Sequence, residues 1–414
     1  MQPSRPEATM LISTRICFVR VVFFALMLLV DIPAVLHAQS TILWTNNVAA
    51  SDWNAGTNWS PNTVPNGIGN TVYFIGQAST GITMDNGLTF TNGTLSTTNG
   101  VSWIVKSGTG TNYLQVATGT PVLNVTSNGT TCWFESAYLA GTQGYNKTGA
   151  GKVTFRYNGN ANPISGPIGI LGGTVGIQSD SSLGNINNPI TITNGAVLLE
   201  ENSANSGVYW LAPSRTLTLA GGQAELAVEN SAFSLIIPGV INENPAGSGL
   251  LWNSAGELVL SNANTFTGPL IMTAGTNDLA NSNAVQYSTL TVNGGTVLFD
   301  KAVASKAFTC GNLAGTADIA LQNNASTPGP ITLTVGGNNT STTFAGDLTG
   351  TGALIKIGTG TVTLLGANTY TGTTTIGSGK LVTTTACLGA GAVSVADGAT
   401  NQVQVGGLGQ TLTN

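Results

Sequence analysis

The 414-residue chain carries 12 basic against 17 acidic residues, a formal charge of −5, and only 7% charged positions, against about 25% in ordinary soluble domains. So few cations exclude a nucleic-acid-binding surface, which relies on clustered Lys and Arg to neutralise phosphates. With 41% hydrophobic residues a sizeable core is available, so the low charge does not signal disorder.

Residues 1–38 read as a leader for Sec-type export. Arg15 and Arg20 precede the apolar run 21–30, Asp31-Ile32-Pro33 breaks it, and Leu36-His37-Ala38 offers a cleavage site. The run is too short to cross a bilayer as a helix, which takes about 20 residues, and no other segment could span as one. Met1 and Met10 are both candidate starts. Cleavage after Ala38 removes the sole histidine, His37, and leaves Cys132, Cys310 and Cys387. An odd number of widely spaced cysteines makes neither a disulfide framework nor a zinc site. All three are expected to be free thiols.

Residues 39–75 form a distinct opening segment, with Trp44, Trp53 and Trp59 among turns at Asn58, Pro61, Pro65 and Asn66-Gly67. A solenoid needs its first rung covered, and the tryptophans read as packing in such a cap. The alternative is a glycan-contact platform in which exposed rings stack on sugars. Over 76–143, short β-rich runs (82–84, 88–90, 103–106, 122–125, 132–134) alternate with Gly/Asn/Thr turns. This spacing, without any amphipathic helical pattern, suits the first rungs of an all-β chain.

From residue 144 the sequence repeats. Segments 147–175, 253–280 and 354–382 share three glycine markers: Gly151, Gly256 and Gly360; Gly166, Gly268 and Gly372; Gly173, Gly275 and Gly379. Each set keeps an interval of 102 to 105 residues, which shared composition alone would not produce. The units run about 144–249, 250–352 and 353–414, the last incomplete. In each, an alternating run follows the first marker (Val153/Phe155, Leu258/Leu260, Val362/Leu364) and should face inward. Ile164, Phe266 and Tyr370 lie at equal offsets and are expected to stack in one column. Lys306–Gly311 falls where Arg215–Gly221 lies in the first unit, so Cys310 replaces the apolar Leu219.

The pattern K-x-G-x-G-x-V/L-x-L, then N-x-Y/F-x-G-x-T-x-I, then G-x-L resembles the autotransporter-associated β-strand repeat of secreted bacterial proteins. Residues 356–381 fit it best, with Asn368-Thr369-Tyr370-Thr371-Gly372 at its centre. The first copy has Ile164 at the aromatic position, and the middle copy has Asn253 in place of the leading lysine. Trp53…Asn58-Trp59-Ser60…Val64-Pro65 is similar to the opening of proteins that carry this repeat. The resemblance implies a right-handed parallel β-helix in a passenger-type exported protein, extracellular or on the outer cell surface, with an architectural motif and no catalytic residues.

Reactive constellations are scarce. Without histidine there is no Ser-His or Cys-His pair and no imidazole ligand, and no cofactor or metal is expected. Gly149-Ala150-Gly151-Lys152 lacks the earlier glycine, the hydroxyl residue and the helix of a phosphate loop. Glu225 and Glu229 share a strand face, but four residues of strand put them ~13 Å apart, beyond the ~5–10 Å of paired glycosidase carboxyls. Glu200 and Glu201 are adjacent and face opposite ways. Solvated outer positions are expected for both pairs.

The sequence therefore points to a non-enzymatic surface scaffold of structural or adhesive type. The runners-up are a polysaccharide-active β-helix enzyme, which would show a cleft lined by stacked acids with Lys or Arg, and a glycan-binding module using the opening tryptophans. Expected partners are extracellular polysaccharide or surface glycans. The strand at Thr411-Leu412-Thr413 has nothing after it to cover its edge, which predicts truncation, self-association or a separate chain there.

Overall fold

A computed structural model describes residues 41–45, 51–65, 70–74, 80–84, 89–92, 94–97, 103–107, 112–116, 121–135, 137–156, 161–201, 207–384, 388–405 and 408–413. The export leader and Cys387 lie outside the described residues. Those described form β-strands joined by turns, interrupted by two short 3-10 turns, Gly56–Asn58 and Asp180–Leu183.

The strands coil into a parallel β-solenoid. Each turn visits three faces, and each strand pairs in parallel with the strand one turn earlier. Thr41–Trp44, Thr71–Phe74, Thr94–Thr97, Val122–Val125 and Tyr145–Thr148 stack on the first face, followed by Ile168–Ile170, Ile190–Thr193, Leu217–Ala220 and Ile241–Glu243. The second face runs through Thr131–Glu135, Lys152–Arg156, Thr174–Ile177, Val197–Glu200, Gln223–Val228 and Gly249–Trp252. The third carries Val208–Trp210, Ser234–Ile237, Glu257–Leu260, Thr276–Leu279 and Thr296–Phe299.

Parallel in-register stacking sets like beside like. Cys132, Val153, Val175, Leu198, Leu226, Trp252, Met272 and Val292 make one continuous buried column. Fully burying such an apolar side chain contributes roughly 1.5–3 kcal/mol. A core that threads the whole axis thus compensates for a nearly chargeless surface.

The repeat copies do not superpose on the same faces, as equal offsets had predicted. The strand after the first marker glycine lies on the second face in copies one and three, Lys152–Arg156 and Thr361–Leu364, but on the third face in copy two, Glu257–Leu260. From Lys152–Arg156 the second face passes through Thr174–Ile177, Val197–Glu200 and Gln223–Val228 to Gly249–Trp252, four turns on. Glu257–Leu260 is then one face further. The second interval adds four turns and two faces, so copy three returns to the phase of copy one. Ile164, Phe266 and Tyr370 all point inward and are buried, but Phe266 follows Thr265, which bonds Ile241 on the first face, whereas Tyr370 bonds Leu348 on the third. The stacked aromatic column is therefore corrected to three inward anchors at two corners.

Both ends of the described ladder reverse direction. Trp59–Ser60 pairs antiparallel with Thr41–Trp44, and Leu408–Thr413 pairs antiparallel with Thr400–Val405. The strand at Thr411-Leu412-Thr413, expected to end the ladder uncovered, thus folds back on the strand before it. At the opening end Trp59 meets Trp44 and Trp53 edge-on, at centroid separations of 4.7 and 4.8 Å, and its indole N–H donates to the Trp53 carbonyl at 2.8 Å.

Candidate functional site

Most motif residues are consumed in holding one rung to the next. Asn162, Asn264 and Asn368 are buried, and each side-chain oxygen accepts a backbone N–H from the preceding turn: Leu139 at 3.0 Å, Ile241 at 2.8 Å and Leu348 at 2.7 Å. The amide nitrogens of Asn162 and Asn264 donate onward to the carbonyls of Ser182 and Ala284. At these corners the strand ladder lapses and an asparagine replaces it, satisfying buried donors that would otherwise be costly. The repeat pattern contained this asparagine, as Asn368, without showing what it bonds. Their fixed place, two residues before Ile164, Phe266 and Tyr370, was the signal to use.

The leading lysines are buried too. Lys147 Nζ donates to the carbonyls of Thr148, Gly149 and Gly172 at 2.9 to 3.0 Å, and Lys356 Nζ to those of Ile357, Gly358 and Ser378 at 2.7 to 3.2 Å. Burial lowers both pKa values, that of Lys147 to about 8. In the middle copy the structural counterpart is Trp252, not the exposed Asn253. Trp252 ends an inward-facing strand as Lys356 does, and its indole nitrogen lies near Gly275 as the Lys356 amine lies near Gly379. The third marker glycines explain themselves. Gly173, Gly275 and Gly379 have φ of +62°, +66° and +68°, and a Cβ on each would fall 2.2 to 2.7 Å from the carbonyl oxygen of Gly151, Gly256 or Gly360. The remaining markers, Gly166, Gly268 and Gly372, likewise lie too close to the preceding turn's backbone for any side chain.

One outward-facing feature gathers charged side chains into a cleft. On the second face Trp133, Lys152, Arg156, Gln178, Glu201 and Glu229 line a cleft of about 420 Å³. Glu201 reaches back across two turns: it pairs with Lys152, and its other oxygen accepts from Thr154 Oγ1 at 2.9 Å. Gly176 leaves the space this requires, since a Cβ there would sit 2.7 Å from the Glu201 carboxylate. The Arg156 guanidinium lies 5.6 Å from the Trp133 ring centroid and 3.7 Å from Glu135. A cleft with acids and bases together is the feature that sequence reasoning named as diagnostic of a polysaccharide-active chain, and it is present.

The expected solvated acids need correction. Glu201 is 7% exposed and Glu200 is fully buried, in an inward column between Ile177 and Val228. Burial, with the Glu229 and Glu201 carboxylates adding, raises the Glu200 pKa to about 8, partly opposed by the Tyr209 hydroxyl. Glu225 is half-buried and Glu229 exposed. On the third face Asp278 is also buried, pushed up to about 7 by burial and by Asp300 and Glu257, and it accepts from Asn324 at 3.1 Å. A hollow of about 550 Å³ opens beside it, bordered by Val297, Asp318, Gln322, Asn324 and Pro328.

The tryptophans named as glycan contacts are corrected as well. Trp44, Trp53 and Trp59 are buried against one another, so none offers a ring face to a sugar. Trp210 is exposed, at 60%. Cys132 and Cys310 are buried thiols outside any disulfide, and burial pushes the Cys310 thiol to about 12.

The passenger-associated-transport-repeat family matches residues 146–177, 253–298 and 354–382. The chain carries three copies of this passenger-type repeat. These three segments coincide with the glycine-marked copies. A passenger-type repeat implies secretion or an outer-surface location. The chain is also similar to the adhesin BmaC autotransporter of Brucella suis biovar 1 (strain 1330), with 32% identity over 164 residues; that match takes in 40% of this chain and 4% of the relative. No solved structure matches.

Proposed function

We propose that the chain is a surface-displayed adhesin-type scaffold, exported by a Sec-type leader and without a catalytic site. The observation that carries this reading is the use of the repeat residues: asparagine, lysine and glycine markers all serve rung-to-rung contacts. What such a motif supplies is length, rigidity and a long ladder of outward side chains. The adhesin relative supports the adhesive role, and the family's passenger character supports surface display.

The test is adhesion by beads coated with the purified chain, compared with beads carrying an unrelated β-solenoid, on host-cell and matrix-coated surfaces. The chain-coated beads should be retained, and the retention should be blocked by soluble chain. Incubation with a broad polysaccharide panel should release no reducing ends and no unsaturated products. Product release that Glu201→Gln abolishes would establish an enzyme instead.

A further inference from the structure

We propose that the second-face cleft is a binding subsite for a neutral hexose unit of a surface or extracellular polysaccharide. This rests on the adhesive reading above and names where the contact is made.

Four observations converge on it. The cleft is about 420 Å³, within the range of about 300–1,000 Å³ usual for small-molecule sites. Its charged lining is balanced, Lys152 and Arg156 against Glu201 and Glu229, and this suits a neutral ligand. A uronate or a cationic ligand would be attracted by one pair and repelled by the other, so a charge on the ligand gains nothing net. Sugar hydroxyls both donate and accept, and charge-assisted bonds to carboxylate and cation are the stronger kind. Trp133, half-buried with the Arg156 guanidinium over its ring, adds an apolar edge at one end for the C–H groups of a pyranose.

The Lys152–Glu201 pair is the strongest indication of a built site. Withdrawing a carboxylate from water is expensive, and a buried ion pair often stabilises no better than packed apolar residues. The neighbouring outward positions show that apolar choices fit this face: Val197 and Leu199 lie on the same strand. The chain instead holds Glu201 across two turns over Gly176 and fixes both its oxygens, on Lys152 and on Thr154. That is preorganisation of a polar floor. Each Glu201 oxygen keeps a second lone pair to accept a sugar hydroxyl in the cleft. Glu200, on the inward side of the same strand, does not reach into it.

The experiment is a printed array of neutral, uronate-containing and sialylated oligosaccharides probed with the purified chain, followed by calorimetry with the neutral oligosaccharide that binds best. Binding to neutral members is expected, with Kd rising at least about tenfold in Trp133→Ala and in Glu201→Gln. Gly176→Ala should do the same by displacing the carboxylate. Unfolding midpoints identify any variant that fails for lack of folding, and Gln178→Ala on the rim should weaken binding without touching the core. Adhesion of beads with no neutral-sugar binding would overturn the subsite and leave the adhesive reading standing. Binding confined to acidic oligosaccharides, neutral binding indifferent to all four substitutions, or reducing-end release by the wild-type chain would each overturn it too. Loss of both bead adhesion and array binding in the wild type would remove the underlying reading.

Discussion

Three buried ionisable side chains make stability depend on pH in an unusual direction. Glu200 rises from 4.5 to about 8 and Asp278 from 3.8 to about 7, so the folded chain holds protons that the unfolded chain has released across those windows. Stability is fully present below about pH 4 for these two groups and falls as pH rises to about 8. Lys147 has the opposite shift, from 10.5 down to about 8; there the unfolded chain binds the extra proton, so stability climbs again from about pH 8 to 10. Thermal unfolding followed by circular dichroism should therefore show a minimum near pH 8, and Glu200→Gln should flatten the limb between pH 5 and 8. A midpoint that rises steadily from pH 5 to 8 would contradict the assignment. Asn368→Ala should cost about 1–3 kcal/mol in urea unfolding, because it strands the buried Leu348 N–H. These residues were hard to read in the sequence for a physical reason. Adjacent glutamates announce that one must face inward, but not that the inward one lacks a charged partner. An asparagine beside a turn reads as turn chemistry until the register shows which N–H it meets.

At the scale of the strand and its turn, glycine markers separate two effects. Gly379 and Gly398 both have left-handed backbones, with φ of +68° and +75°. A Cβ at Gly398 would meet nothing within 4 Å, whereas at Gly379 it would lie 2.3 Å from the Gly358 carbonyl oxygen. Gly398→Ala should thus cost only the conformational penalty, about 1–2 kcal/mol, and Gly379→Ala distinctly more, measured by the same urea titration. Equal costs would show that the turn can shift to make room. The strand interiors predict chemical silence: Cys132 and Cys310 should not react with a thiol reagent until denaturant is added, and rapid labelling in buffer would place them nearer the surface than their columns allow. Alternation was legible at this scale. Val153/Phe155, Leu258/Leu260 and Val362/Leu364 all face inward as their period of two requires.

For the whole molecule, the repeat in the sequence identified the solenoid correctly, and the reason is thermodynamic. A unit that buries its faces only against copies of itself must recur, and the recurrence is visible without coordinates. The path around the axis was not visible, because a residue interval does not say how many turns it contains. The same dependence on neighbours makes a prediction for unfolding. Nearest-neighbour stacking should give a broad or stepped denaturant transition, with hydrogen exchange fastest at the two ends and slowest through the middle turns. A single sharp transition with uniform protection would point to long-range cooperativity. The mismatch between copy length and turn length carries one more consequence. Each unit acts as a phase shifter, advancing the surface beyond it by a third of a circle or by two thirds. Excising the middle unit in frame would leave every later strand chemically intact yet aimed a third of the way around the rod, so that what the molecule presents in a given compass direction is set by how many units precede it.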